Sequence, residues 1–579
     1  MIKQPDFIPT TLEEVKKLDW YPLDVIIITG DCYVDHPGFG SAVIGRFLIN
    51  AGFRTGIIDQ PDCNNLNSFR TLGCPKLFFG ITSGNMDSMV NHYTAQKKIR
   101  SEDAYSPDGK TGLRPDRALS VYSQKVRQAF KKVKIVLGGI EAGMRRIPHY
   151  DFWSDKIRNS VLYDTKADVL VYGMGEKPIV QIAELLKKNK EPENIRGTVI
   201  LSKKIPENGV ELPSVKKVKD KQLFYEMSKT FDKFFREKPL FINDNGRILI
   251  HYPPQKHLST AEMDAVYNMP FRREKPPKYK NKTITAFEQI KLSVSSHRGC
   301  FGGCSFCTIG YHQGKSIQSR SKESIIKEIN ELKKKKYFKG TVSDLGGPSA
   351  NMYGMSCKIN FSDECKRPSC LVPDICPNLD TDHHYVLDLL NSVKKIKGVK
   401  NLFIASGIRF DLSNSSDKYI QAVADNYIGG HLKLAPEHKS DKVLKLMNKP
   451  SFSVYEDFCR KFISCSGKSG KNQKIIPYVI AGHPGAELSD TIDLALFLKK
   501  KKIKLRQIQE FTPTPMTISS CMYYTEKDFF SGKKIHVAKG REIRLMKALI
   551  QWWNPDNKKL VIEALRKAKK TNLIKQFYK

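Results

Sequence analysis

The 579-residue chain is predicted to be an α/β protein made of two successive series of alternating strands and helices, closed by a short helical extension. Three observations predict this. Short apolar β-type runs that stop at glycine alternate with stretches of helical spacing as far as about residue 215. A second alternating series begins near residue 286, after the proline- and lysine-rich stretch NMPFRREKPPKYKNKT at 268–283. The strand runs are apolar throughout rather than alternating, which marks a parallel sheet covered on both faces.

In the first series DVIIITG at 24–30 ends on Gly30 and precedes the helical SAVIGRFLINAGF at 41–53, a βα unit. RTGIID, KLFFGITSG with the helix-like NMDSMVNHYTAQKK, KIVLGG, and ADVLVYGMG with EKPIVQIAELLKK repeat it. Residues 1–215 are therefore expected to form a doubly wound parallel sheet of flavodoxin-like type. Residues 216–285, with a polar helix near 219–237, read as a connector. In the second series KLSVSS, GTVSDLGG, NLFIASG, GGHLKLAP, KIIPYVIAGHPG and KLRQIQEF are the strand candidates. They suit a complete or partial (β/α) barrel of TIM type over 286–530, with chemistry on the loops after the strand C-termini. Its first helix, SKESIIKEINELKKKK, opens on Ser321. Residues 531–579 read as two basic amphipathic helices separated by NPDN, and Ile543, Leu545, Ala548, Leu549 and Trp552 would dock the first of them on the barrel.

Lys and Arg number 97 against 60 Asp and Glu, a net charge of +37, which would attract nucleic acid or an anionic surface. The lysine runs at 333–336 and 499–502, however, fall at the ends of predicted helices, where lysine is a solvated helix former that complements the dipole. A nucleic-acid partner is thus open but not required. No run of about 18 apolar residues occurs, so neither a membrane span nor a membrane partner is expected. The first twenty residues hold no apolar core of a signal peptide. Thirteen cysteines are few for this length, which favours a reducing cytoplasm and thiol or metal chemistry over disulfides. Cys32, Cys63, Cys74, Cys459, Cys465 and Cys521 are scattered and read as buried small hydrophobes.

Three cysteines crowd into HRGCFGGCSFCTIG at 297–310, the loop after the first strand of the second series. A zinc site would want a fourth ligand, for which His312 is the nearby candidate, and a redox pair would need only two thiols. Three thiolates, Cys300, Cys304 and Cys307, can instead hold three irons of a [4Fe-4S] cube and leave the fourth open to a substrate or cofactor. Gly299, Gly302, Gly303 and Gly310 would let the backbone curl around it.

CxxxCxxC with Phe306 before the last cysteine, after the first strand of a partial barrel, resembles the signature of radical S-adenosylmethionine (SAM) enzymes. The resemblance implies that the open iron chelates SAM and that one electron cleaves it to a 5′-deoxyadenosyl radical. Gly346-Gly347-Pro348 resembles the family's GGE motif, whose backbone carbonyls hold the methionine amino group; Pro348 replaces the acid. YVIAGHPG at 478–485, with Ile480 and Gly482, resembles the adenine-contacting GxIxGxxE segment, its first glycine unmatched. Arg409 and Glu437, near strand ends, are candidates for ribose or carboxylate contacts, the alternative being ordinary surface salt bridges. TGDCYVDHPGFG, IDQPD, CTIGYHQGKSIQSRS, DLGGPSANMYGM, LKLAPEH and EFTPTPMTISSCMYYT together resemble YgiQ-type radical SAM proteins over nearly the whole chain. The resemblance implies an enzyme with an unidentified substrate and an electron donor such as flavodoxin or ferredoxin. The rival reading is a metal-stabilised RNA-binding protein without radical chemistry.

Cys357, Cys365, Cys370 and Cys376 fall within twenty residues of an insertion at 355–380. They could hold a second Fe-S cluster or zinc, or line a reduced structural loop. Cobalamin is not expected: Asp35-His36-Pro37-Gly38 places His directly after Asp, where a corrin site would want D-x-H-x-x-G. Gly138 to Gly143, followed by Arg145 and Arg146, could bind an anionic group.

Overall fold

In the computed structural model, which describes residues 2–360 and 365–578, the chain divides into two compact units. The first comprises Met1–Ser293, Tyr311–Gly314 and Arg320–Phe338, the second Val294–Gly310, Lys315–Ser319 and Lys339–Lys579. Met1, Lys579 and residues 361–364 of the cysteine-rich insertion lie outside the described residues.

The first unit is organised by nine strands: Val25–Thr29 (β1), Thr55–Asp59 (β2), Phe78–Thr82 (β3), Lys134–Gly138 (β4), Val169–Val171 (β5), Thr198–Ser202 (β6), Val210–Glu211 (β7), Leu240–Asp244 (β8) and Arg247–His251 (β9). Their order in the sheet is β2-β1-β3-β4-β5-β6-β9-β8-β7. The first five are parallel, in the flavodoxin-like order that places a topological switch point between β1 and β3. All five residues of β1 are buried, as are Ile135, Val136 and Leu137 of β4, because helices such as Gly40–Asn50 and Glu176–Lys187 cover the faces. The switch point is filled from within: Asn85 N–H donates to Asp31 Oδ2 at 2.7 Å, and Arg114 pairs with Asp31 at 2.8 Å.

Two expectations are corrected here. The sheet does not stop at residue 215, since β8 and β9, from the stretch read as a connector, pair antiparallel and join it through β6. Leu240, Phe241 and Ile242 and Ile248 to Ile250 are buried; their short apolar runs are strands that the flanking lysines and prolines concealed. NMDSMVNHYTAQKK is helical only over Ser88–His92, because Tyr93 and Ile99 then bridge across a turn in which Lys97 takes φ +57°. The long helix between β3 and β4 is Ala118–Ala129 instead.

The helix Lys322–Lys333, read as part of the second series, belongs to the first unit. Ser321 caps it by accepting from Ser324 N–H at 3.1 Å, and its own N–H donates to Asp264 at 2.9 Å. Arg273 and Arg320 converge on Glu328, all three buried.

In the second unit the strand segments follow chain order. Ser293–Ser295 pairs with Asp344–Gly346, and Thr341–Val342 pairs in parallel with Asn401–Leu402. Ile404 N–H donates to Tyr427 O at 3.0 Å. His431–Glu437, Lys474–Ala481 and Gln509–Glu510 continue in parallel. Each strand candidate of the second series contributes, and the result is a partial (β/α) barrel. Along His431–Glu437, Leu432 and Leu434 are buried while His431 and Lys433 are exposed, so the strand presents two different faces. In the C-terminal helix Arg541–Ile550, Ile543, Met546 and Ile550 pack against Val479, Leu494 and Leu498. Leu545, Ala548 and Leu549 share a core with Ile492 and with Val561 and Leu565 of Lys558–Lys567, and Trp552 packs against it.

No helix among the described residues is long and apolar enough to cross a membrane. Of the six scattered cysteines only Cys32 and Cys521 are buried; Cys74 is exposed and Cys63, Cys459 and Cys465 are partly so. Residue type alone says nothing of position, and Cys74 sits in the turn after Gly73.

Candidate metal centre

Glycine chemistry shapes the three-cysteine loop. At Gly299, φ +88°, a Cβ would stand 1.9 Å from the Ser316 carbonyl oxygen, and at Gly303, φ +60°, 2.2 Å from that of Pro368. Both contacts are with backbone, so no other residue fits. Gly302 lies between two of the sulfurs: a Cβ there would be 3.3 Å from Cys300 Sγ and 3.6 Å from Cys304 Sγ, and its N–H points at Cys300 Sγ at 3.4 Å.

Three other segments hold the loop through four hydrogen bonds. Cys370 N–H donates to Phe301 O at 3.1 Å, Asn448 Nδ2 to Gly303 O at 2.7 Å, Ser305 N–H to Met447 O at 2.9 Å, and Ser519 N–H to Ser305 O at 2.9 Å. The cation beside the sulfurs is Arg409, whose Nη1 lies 3.5 Å from Cys304 Sγ. Arg409 is itself buried, donating from Nε and Nη2 to Asp411 at 2.9 and 2.5 Å. This corrects the surface salt-bridge alternative for Arg409. Glu437 is also buried, at φ +69°, with Lys449 Nζ 3.9 Å away. Burial raises its carboxyl above the usual range, partly offset by Lys449 and Arg409.

The cysteines keep some accessible surface, yet the surrounding protein desolvates two of their sulfurs. Burial raises the Cys300 thiol, with Arg409 opposing, and pushes Cys307 up to about 12, with Cys304 adding repulsion. Thiols so placed need a positive partner to ionise together, which a metal supplies. Among the described residues no three His, Cys, Asp or Glu side chains gather as a site for a metal ion. A cube gives each thiolate a different iron and so spreads the sulfurs more widely than one zinc shell does. Three thiols, with the Gly302 N–H and the Arg409 guanidinium beside them, form a donor set that fits such a cluster.

The other expected residues lie as follows. Gly346 O accepts from Ser296 N–H at 2.7 Å and Ser296 Oγ at 3.1 Å, so its lone pairs are engaged. Gly347 covers the His297 ring, where a Cβ would approach to 2.6 Å, and Pro348 is half-buried. Phe306 meets His483 edge-on at 6.2 Å, and His483 Nε2 lies 2.7 Å from Ser519 Oγ. Ile480 is buried, and Gly482 takes φ +78° against Ile543. Sequence reasoning missed Asp411, Lys449, Asn448 and Ser519. Only Ser519 fell within a quoted motif, EFTPTPMTISSCMYYT. Beside the strands, Ser343, Phe403, Ala405, Tyr427, His431 and Lys433 line a cavity of 240 Å³.

Comparison with known proteins identifies the class. The Radical SAM superfamily model matches residues 294–498, the Radical SAM N-terminal model 7–293, and a domain of unknown function, DUF3362, 506–577. Such membership indicates an enzyme and implies a [4Fe-4S] cluster and SAM. A UPF0313 protein of Methanocella arvoryzae is 47% identical over 576 residues, covering 97% of this chain and 96% of the relative. One of Clostridium botulinum strain 657 is 45% identical over 583 residues, covering 98% and 91%. The chain belongs to the UPF0313, or YgiQ, family of radical SAM proteins. The solved structure of the radical SAM methyltransferase TsrM from Kitasatospora setae, with tryptophan and aza-SAM bound, is similar in fold at TM-score 0.53 and 10% identity, covering 92% of this chain and 90% of that one.

Proposed function

We propose that Cys300, Cys304 and Cys307 hold a [4Fe-4S] cluster whose fourth iron takes SAM, and that the enzyme reductively cleaves SAM to act on a substrate still to be identified. The carrying observation is the three-cysteine loop, clamped by three segments and turned at Gly299 and Gly303, where a Cβ would meet the Ser316 and Pro368 carbonyls, with Gly302 lying between the Cys300 and Cys304 sulfurs. When bound, the cluster supplies the electron that breaks the sulfonium bond to give a 5′-deoxyadenosyl radical.

The chain's own residues bind and orient. With the Gly346 carbonyl engaged by Ser296, the methionine amino group falls to the carbonyls of Gly347 and Pro348. Arg409 keeps a cation beside Cys304 while Asp411 holds its guanidinium in place. Glu437 is the candidate for a ribose contact, and Ile480 and Gly482 for the adenine. His483, locked by Ser519, positions Phe306 against the loop. The 240 Å³ cavity with His431 and Lys433 is the candidate substrate space. An electron donor such as flavodoxin or ferredoxin belongs to this reading; nucleic acid is not required by it, and cobalamin is not expected. Asp35 is engaged by Arg46 at 2.6 Å, and His36 Nδ1 accepts from Gly38 N–H, which supports a structural role for their loop.

Anaerobically purified protein given dithionite and SAM is expected to form 5′-deoxyadenosine, and the Cys300→Ala, Cys304→Ala, Cys307→Ala triple variant is expected to form none. Colourless, zinc-loaded wild type that binds RNA with steep salt dependence would overturn the proposal in favour of the RNA-binding reading.

A further inference from the structure

The cysteine-rich insertion has no helix or regular strand among its described residues from 356 to 382, yet hydrogen bonds hold those described residues in a defined arrangement. Asp380 N–H donates to Ser356 O at 2.9 Å and Lys358 N–H to Asn378 O at 2.8 Å, and Cys357 bridges Leu379. Cys376 N–H donates to Cys370 O at 2.8 Å, and Leu379 N–H to Cys376 O at 2.9 Å. These bonds draw Cys357, Cys370 and Cys376 together. Ser369 Oγ accepts from Leu371 N–H at 3.0 Å and Val372 N–H at 3.2 Å, turning the chain around Cys370. Arg367 ties the Cys365 side to Asp374 O at 2.8 Å. Cys370 and Cys376 pack against the core formed by Phe301, Met355, Leu371 and Leu379.

We infer that Cys357, Cys365, Cys370 and Cys376 ligate a second iron-sulfur cluster, a four-thiolate [4Fe-4S] centre adjoining the three-cysteine loop. A stretch this long without a helix or regular strand among its described residues is uncommon in a compact domain and usually functional, and all four thiols are free of disulfides. Of their gaps of seven, four and five residues, two exceed the two to four that zinc sites use within a pair. The buried Lys315 donates to the carbonyls of Cys365, at 3.5 Å, and Arg367, placing a cation beside the anionic set.

The test is iron, sulfide and zinc analysis with Mössbauer spectroscopy on the full chain, purified anaerobically. Wild type is expected to hold about eight irons, and the Cys300, Cys304, Cys307 triple alanine variant about four, in a cluster whose spectrum does not respond to SAM. A Cys370→Ser, Cys376→Ser variant is expected to hold about four that do respond. The triple variant leaves the insertion intact, so it decides the matter even if the serine variant fails to fold. No iron in the triple variant, or one zinc in its place, overturns the inference. Absence of the SAM-responsive cluster in wild type would instead count against the proposed function alone.

Discussion

At Gly303 the backbone takes φ +60° and the Pro368 carbonyl occupies the space of a Cβ. Gly303→Ala therefore carries a left-handed penalty of about 1 kcal/mol and a clash with backbone that cannot swing aside. Its iron content after anaerobic reconstitution is expected to fall several-fold, measured beside wild type. The cysteines themselves were legible in the sequence because ligand identity and close spacing are local properties. Arg409 was legible as a candidate, but its burial and its pairing with Asp411 were not. Asn448 and Ser519 reach the loop from positions more than a hundred residues away, and no local pattern announces such a contact.

The helix Lys322–Lys333 illustrates the same limit among elements. Its apolar spacing and its Ser321 cap were visible, but spacing shows that a face must be covered and not what covers it. The cover is in the first unit, where Arg273 and Arg320 share Glu328. Glu328→Gln leaves two buried guanidinium groups short of a counter-charge, and removing one partner of such a set costs about 3–5 kcal/mol. A lowered urea midpoint for unfolding of this unit is the expected result. At the other end of the chain the expected docking positions Ile543, Leu545, Ala548 and Leu549 are all buried, since an amphipathic stripe is written directly in the sequence.

For the whole molecule, buried histidines set the acid limit. Burial holds His149 and His483 near about 3, and His383 and His438 near about 4, below the ordinary 6.5. Below about pH 6.5 the unfolded chain takes up protons that the folded chain refuses. Stability is full above that pH and falls as the pH drops toward 4, by up to about 1.4 kcal/mol per unit for each imidazole. Asp31, raised to about 6 chiefly by burial, works the other way, as do the buried Glu141, Asp344 and Glu437, against these four imidazoles and the likewise lowered His36, His251 and His297. The thermal midpoint is expected to be lower at about pH 5 than at about pH 7. The sequence by itself determined the α/β class, the alternation of strands and helices in each series and the three-thiol loop, because apolar periodicity, glycine punctuation and ligand spacing act over a few residues. Only the tertiary structure decided where the first sheet ends, which unit takes the helix Lys322–Lys333, and which distant groups clamp the loop, because those depend on contacts between segments far apart in the chain.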